Sequence, residues 1–322
     1  MKLINAGIVF FVLLTVSCGR MQDKNERNVF FENRTPQWIG DGQPLPANDS
    51  LYYLDYPAPL FRKEIAVENK IENARFFITA AGYYKFSLNG KVIGSSSLNP
   101  AWTDYSKRIY YSDYDVTSMI TKGENCLGVE LGNGFYNPLP LRMWGRYNLR
   151  EDLKVGKPVF LAKLVLKYEN GKTEEFVSGE TWKYTSGPTI RNSVYLGVTY
   201  DAGKEIEGWN TVGFNDKSWV NASLGTSPGG QLEKAFFPSV QITEQITPIS
   251  IFSPEEGIYT VDMGVNFTGT YRIRLSGNIG DTIRFRFGER IYEDGKLNPM
   301  TVVTGQIKRK GTGGPGAPDI AW

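Results

Sequence analysis

Apolar and polar positions alternate along most of this chain, and a helical period is almost absent. The runs ARFFITA (74–80), YYKFSLNGKVIG (83–94), CLGVELG (126–132), VFLAKLVLKY (159–168) and TEEFVSGETWKY (173–184) are the clearest strand signals. Asn89-Gly90 lies between two alternating runs. Both residues tolerate the positive φ that a tight hairpin turn requires, so the pair predicts a hairpin there. The stretch from Tyr168 to Lys172, YENGK, predicts a second turn of the same kind. Short strands at steady spacing, separated by Gly and Asn turns, predict an all-β chain of antiparallel, jelly-roll-like β-sandwich domains. The main interruption is DVTSMITKGEN (115–125). Asp115 and Thr117 can cap one helical turn there, Met119 and Ile120 would face the core, and Gly123 would end it.

The pattern changes after residue 207. GWNTVGFNDKSWVNA (208–222) reads as loop and marks the edge of a first sandwich over 36–222. Residues 223–250 are rich in Gly, Pro and Ser and predict a linker with one edge strand. Strands resume at GIYTVDMG (257–264), GTYRIRLSG (269–277) and GDTIRFRFGERI (280–291), with Arg272, Arg274, Arg284 and Arg286 on one face. A second sandwich would therefore occupy 251–322. Three strong strands leave an open edge and a small core, so it reads as incomplete.

Composition narrows the chemistry. Among 322 residues there is no histidine. That excludes Ser-His-Asp and Cys-His machinery and the usual imidazole metal sites, and leaves carboxylates, Tyr, Lys or Ser for any reaction. A net charge of +2, with no Lys/Arg stripe, points away from nucleic acid. Cys18 and Cys126 are too far apart in role and position to suggest a disulfide framework; Cys126 falls in a strand run and reads as a small buried apolar residue.

The first 18 residues begin with Lys2, continue through an apolar stretch from Ala6 to Val16 and end at Ser17-Cys18-Gly19. This is the pattern of a signal peptide, too short to span a bilayer. A cysteine at the cleavage point resembles a lipobox, with Cys18 as the lipidated mature N-terminus. An ordinary cleaved signal with an incidental cysteine is the alternative. The lipoprotein reading implies export and an outer-membrane anchor, facing either the periplasm or the cell surface. Residues 19–35 would then be a flexible tether.

Several of these motifs, taken in order, resemble the N-terminal region of bacterial α-L-rhamnosidases of the glycoside hydrolase family 78 type. PLFRKEIAV (59–67), the hairpin run 74–94, LNPAWTDYSKRIYYSDYDVTSMI (98–120) with the following GNGFY, and SGPTIRNSVYLGVTYDAG (186–203) carry the likeness. DMGVNFTGTYRIRLSG (262–277) resembles the opening of that family's concanavalin-like sandwich. The resemblance implies an exported glycoside hydrolase that removes terminal α-L-rhamnose from glycans. Its inverting carboxylate pair would sit in an (α/α)6 barrel for which these residues show no helical pattern. No catalytic residue is therefore assigned. A stand-alone carbohydrate-binding surface lipoprotein without hydrolase activity is the alternative, and a structural or adhesive sandwich a third reading.

The resemblance also implies that a sandwich module can bind L-rhamnose, in some relatives with calcium. Aromatic faces would stack on the sugar and carboxylates would take its hydroxyls. Trp102, Asp104, Tyr105, Tyr200 and Asp201 are candidates, and each has a plain structural reading as core filler or turn cap. The irregular segment 132–148 holds the better candidates, Tyr136, Trp144 and Tyr147. The same loop could instead pack on a neighbouring domain. At two places the chain departs from the family pattern, with Val198 where a glutamate is common and Gly203 where an arginine is common. No cofactor is expected beyond a Ca²⁺ ion that Glu289, Glu293 and Asp294 would hold; a solvated hairpin tip is the alternative there.

Overall fold

The computed structural model describes residues 29–95, 98–143, 147–298 and 301. The expected signal peptide, Cys18 and most of the expected tether lie outside these residues.

Two sheets, antiparallel except for one edge pairing, face each other and enclose one main core. The seven-stranded sheet runs Ser223–Leu224, Ile39–Gly40, Val159–Tyr168, Ile71–Ala81, Arg108–Asp115 and Gln231–Lys234, with Thr173–Val177 also paired to Val159–Tyr168. The six-stranded sheet runs Val220–Asn221, Lys183–Ser186, Pro59–Val67, Gly123–Gly132, Tyr83–Leu88 and Lys91–Val92. Alternation sets the register. Ala74, Phe76 and Ile78 point inward from one sheet, and Phe86, Leu88, Val129 and Leu131 point inward from the other. Phe76 stacks on Phe86 at 3.9 Å between ring centroids. Phe160 stands edge-on to both Phe61 (5.1 Å) and Trp182 (5.3 Å).

Both predicted hairpins form. Leu88 pairs with Lys91 across Asn89 (φ 50°) and Gly90 (φ 81°). The Asn89 side chain then fastens the turn to the next strand, accepting from the Cys126 N–H at 2.8 Å and donating to Asn125 Oδ1 at 2.9 Å. At the second turn Lys167 pairs with Thr173, and Gly171 N–H donates to the Tyr168 carbonyl. The interruption at 115–125 forms a single turn: Asp115 caps the Thr117 N–H, the Val116 carbonyl accepts from Met119 and Ile120, and Ile120 is buried.

The single strand expected over 173–184 is two strands in different sheets. Ser178 is buried where the chain crosses; its amide donates to the Ala162 carbonyl and its hydroxyl to the Gln37 carbonyl. These bonds hold the residue just past the end of one ladder while Gly179 and the following turn carry the chain to Trp182 in the core.

The first sandwich extends beyond both of its expected limits. Residues 29–35, read as tether, pack on the seven-stranded sheet. Phe30 is fully buried, edge-on to Tyr111 at 5.1 Å, and the buried Lys163 ammonium donates to the Val29 and Glu32 carbonyls. Residues 223–234, read as linker, supply one antiparallel and one parallel edge strand to the same sheet.

Strand Pro59–Val67 carries Arg62 into the interior, 2% exposed. Its guanidinium pairs with Asp216 and Glu64 and donates to the carbonyls of Trp209 (2.9 Å) and Thr211 (3.0 Å). One buried cation therefore clamps the loop 208–219 against the six-stranded sheet. Trp209 and Trp219 stack beside it at 6.2 Å.

Beyond residue 249, Ser250–Glu255 and Ile258–Asp262 form a two-stranded pair. The runs 269–277 and 280–291 do not become strands, contrary to their alternating pattern. Tyr271 lies 4.7 Å from Phe285, so the two runs are neighbours, yet no ladder joins them. Ile273, Leu275 and Ile283 remain exposed. Alternation describes a half-buried surface, and a strand forms only where a partner ladder and a covering layer exist.

Candidate functional site

The irregular loop after strand Gly123–Gly132 is held by asparagines. Asn133 donates its backbone N–H to Asn192 Oδ1 (2.6 Å) and its side-chain amide to the Asn192 carbonyl (2.9 Å). Asn137 donates to Asn133 Oδ1, and Arg150 donates to Asn137 Oδ1 (2.9 Å) and the Pro138 carbonyl (2.7 Å). The loop is thus a built surface, joined to the hairpin of Thr189–Ser193 and Gly197–Tyr200 on one side and to Leu149–Asp152 on the other.

The structure separates the predicted aromatic residues. Tyr105 is 2% exposed and Tyr136 4% exposed, standing edge-on at 5.2 Å in a small core with Ala81, Ile109 and Val159. Burial pushes both phenols above their ordinary range. A Cβ at Gly156 would meet the Tyr136 hydroxyl at 2.6 Å, so a glycine is needed for the ring to close against that segment. Tyr136 has no open face and does not act as a sugar platform in this conformation. Trp102 is the opposite case. It is 46% exposed and stacks on Phe135 at 4.6 Å, and Phe135 meets Tyr195 edge-on at 6.2 Å. This aromatic shelf includes two residues, Phe135 and Tyr195, that the sequence reading did not single out. Phe135 directly precedes Tyr136 in GNGFY, and only the turn geometry decides which ring faces outward.

The carboxylates among the candidates cap turns. Asp104 accepts from the Ser106 hydroxyl and N–H, and with Lys107 alongside its acid falls to about 2. Asp201 accepts from the Gly203 N–H. Tyr200 is half exposed and donates to Glu205; burial, reinforced by that carboxylate, raises its phenol. The shelf and these carboxylates are not joined by any hydrogen bond among the described residues. Trp144 lies outside the described residues. Tyr147 opens a two-residue strand paired with Arg142–Met143.

For calcium, the residues present do not fit. Among the described residues no three carboxylates converge, and Asp294 is a turn cap for the Lys296 N–H.

The arrangement defines a class: a two-sheet antiparallel sandwich, its rim carrying an aromatic shelf and an ordered asparagine-rich loop. The family model described as the alpha-L-rhamnosidase N-terminal domain matches residues 69–244, and this chain belongs to that family. A second model, the bacterial alpha-L-rhamnosidase concanavalin-like domain, matches residues 253–312. An alpha-L-rhamnosidase of Formosa agariphila is 34% identical over 241 residues, covering 75% of this chain and 25% of the relative. One from Streptomyces avermitilis is 35% identical over 230 residues, covering 71% of this chain and 22% of the relative. The chain thus spans about a quarter of the length of these curated relatives. Among solved structures, the alpha-L-rhamnosidase from Dictyoglumus thermophilum superposes with a TM-score of 0.68 at 35% identity, over 84% of this chain and 30% of that one. That of Streptomyces avermitilis, complexed with L-rhamnose, gives a TM-score of 0.71 at 31% identity, over 79% and 25%.

Proposed function

We propose that this chain is the non-catalytic, all-β N-terminal portion of an exported α-L-rhamnosidase, an enzyme that releases terminal α-L-rhamnose from glycans. The two family models matching in succession, over 69–244 and 253–312, carry this reading. Hydrolysis would be performed by an inverting carboxylate pair in an (α/α)6 barrel outside these residues. The partners are a rhamnose-containing glycan and that catalytic domain. Residues 19–322 expressed alone should give no turnover of an aryl α-L-rhamnoside. Release of the aryl group by a preparation free of other glycosidases would overturn the assignment.

The exposed Trp102–Phe135 stack favours a second reading, a stand-alone carbohydrate-binding lipoprotein at the cell surface. An exposed, pre-stacked ring is a rigid apolar face suited to the C–H side of a sugar. The two readings share an anchor. We propose lipidation at Cys18 and attachment to the outer membrane. Cys18→Ala should shift the protein from the membrane fraction to the soluble one, or leave it unprocessed. A single acyl chain binds a membrane only marginally, so stable attachment needs the several chains of a lipoprotein. Equal partitioning of wild type and variant would count against it.

A further inference from the structure

Two cations beside the loop 132–148 are seated on tyrosine rings. Arg150 lies over the Tyr52 ring at 4.0 Å, and the Lys157 ammonium lies over the Tyr56 ring at 3.2 Å. Both are half-buried. Neither forms an ion pair among the described residues. Asp41 favours the Lys157 charge without pairing with it, its carboxylate accepting from the Tyr56 hydroxyl and the Gln43 N–H. Asp49 acts on Arg150 only at a distance.

The arrangement is costly without a ligand. Burial disfavours both charges; at Lys157 the Asp41 carboxylate recovers part of that cost and Arg150 takes back a smaller part. Contact with a tyrosine face recovers part of that cost. Arg150 is also fixed in place, because Nη1 is committed to Asn137 Oδ1 and the Pro138 carbonyl. Tyr52 takes a further hydrogen bond from the guanidinium, and what remains of the planar fork is a donor of fixed direction, which suits an oxyanion. Ion pairs elsewhere on this sandwich show the contrast: Arg75 and Lys234 both meet Asp113, and Lys183 meets Asp216.

We propose that Arg150 and Lys157, each seated on a tyrosine ring, form a binding site for an acidic saccharide, one bearing a carboxylate or a sulfate. The two cations would share the oxyanion, Arg150 as an oriented fork and Lys157 as a point charge, while the tyrosine rings wall the site. This rests on the glycan-directed reading above, and it adds a charge requirement that a neutral rhamnose site would not have.

The test is calorimetric titration of the full chain with digalacturonate, its neutral methyl ester, glucose 6-sulfate, inorganic sulfate and a tetraglutamate peptide. Digalacturonate or the sulfated sugar should bind at roughly millimolar Kd, weakening as salt is raised. Lys157→Gln should weaken that binding about tenfold, as expected for loss of a charge-assisted hydrogen bond. Lys157 has no hydrogen bond to lose among the described residues, so this variant leaves the fold in place, and Lys157→Arg should restore binding. Arg150→Gln, which releases the Asn137 loop as well, should weaken binding at least as much. A preference for the carboxylate over the sulfate, or the reverse, assigns the oxyanion. Equal binding of digalacturonate and its ester, or no response to Lys157→Gln, would overturn the site. Binding of inorganic sulfate alone would reduce it to an adventitious ion only, and tetraglutamate binding as tightly as the sugars would replace the saccharide by a protein partner. Turnover of an aryl α-L-rhamnoside by this chain would instead strike the domain assignment and leave the charge selectivity standing.

Discussion

Arg62→Ala should lower the unfolding free energy by about 3–5 kcal/mol, the range for breaking a buried ion pair from one side. The substitution strands four groups at once. Asp216 and Glu64 lose their shared guanidinium, and the carbonyls of Trp209 and Thr211 lose a donor. Asp216 keeps Lys183 at 2.7 Å, and Glu64 keeps the Gly213 N–H at 2.9 Å, so the loop is loosened rather than lost. Urea unfolding followed by Trp fluorescence reads this directly, because Trp209 and Trp219 sit on the released loop. A loss below about 1 kcal/mol would show that the clamp does not hold the loop. A triple variant, Arg62→Met with Glu64→Gln and Asp216→Asn, should recover part of the loss, since it removes the uncompensated charges together.

The same cluster predicts a pH dependence. Burial raises the Asp216 acid, but Lys183 and Arg62 outweigh it and hold the acid below its ordinary 3.8. A depressed carboxylate stabilises the fold above its unfolded value, and that stabilisation is lost as pH falls through the folded value. The gap between wild type and Arg62→Ala should therefore be full above about pH 5 and narrow below pH 3.8.

What the sequence made legible follows from how local each feature is. The Asn89-Gly90 hairpin was readable because the turn's positive φ values select those two residues, and both ends lie within a few positions. The run 159–168 was readable because it is buried on both faces and needs no alternation. Arg62 was not, since its strand places it two residues from Glu64 but its other carboxylate partner, Asp216, lies far along the chain. An arginine inside an apolar run looks like a surface position until that partner is known. Phe30 was missed for a related reason. It sits in a polar stretch, and its pocket is made by Phe77 and Tyr111 from two other strands. At the candidate site, the sequence singled out Tyr136, which the structure buries, and passed over its neighbour Phe135, which stacks on the exposed Trp102. Trp102, Tyr105, Phe135 and Tyr136 are all large aromatics within a few residues of a turn, and only the backbone path decides that Tyr105 and Tyr136 turn inward.

A fragment of residues 36–222, the limits the sequence suggests for the first sandwich, should show no cooperative unfolding transition, whereas residues 29–237 should. The shorter piece loses one support at each end. Without 29–35, the Phe30 ring leaves its pocket, a loss of about 1.5–3 kcal/mol for a buried side chain of that size. The buried Lys163 ammonium also loses the Val29 and Glu32 carbonyls and is left with Glu175, which itself loses the Asn33 side chain and the Arg34 N–H. An under-solvated buried ion pair costs several kcal/mol more. Without 223–237, strand Arg108–Asp115 loses its parallel partner Gln231–Lys234 and becomes an open edge, Asp113 loses Lys234, and Leu232 leaves the Tyr105–Tyr136 core. Phe237, edge-on to Tyr110 at 5.0 Å, goes with it. Together these losses equal or exceed the whole stability of an ordinary domain. Thermal unfolding of the two fragments by circular dichroism decides the matter. A sharp transition in 36–222 within a few degrees of that in 29–237 would mean that neither end carries the sandwich.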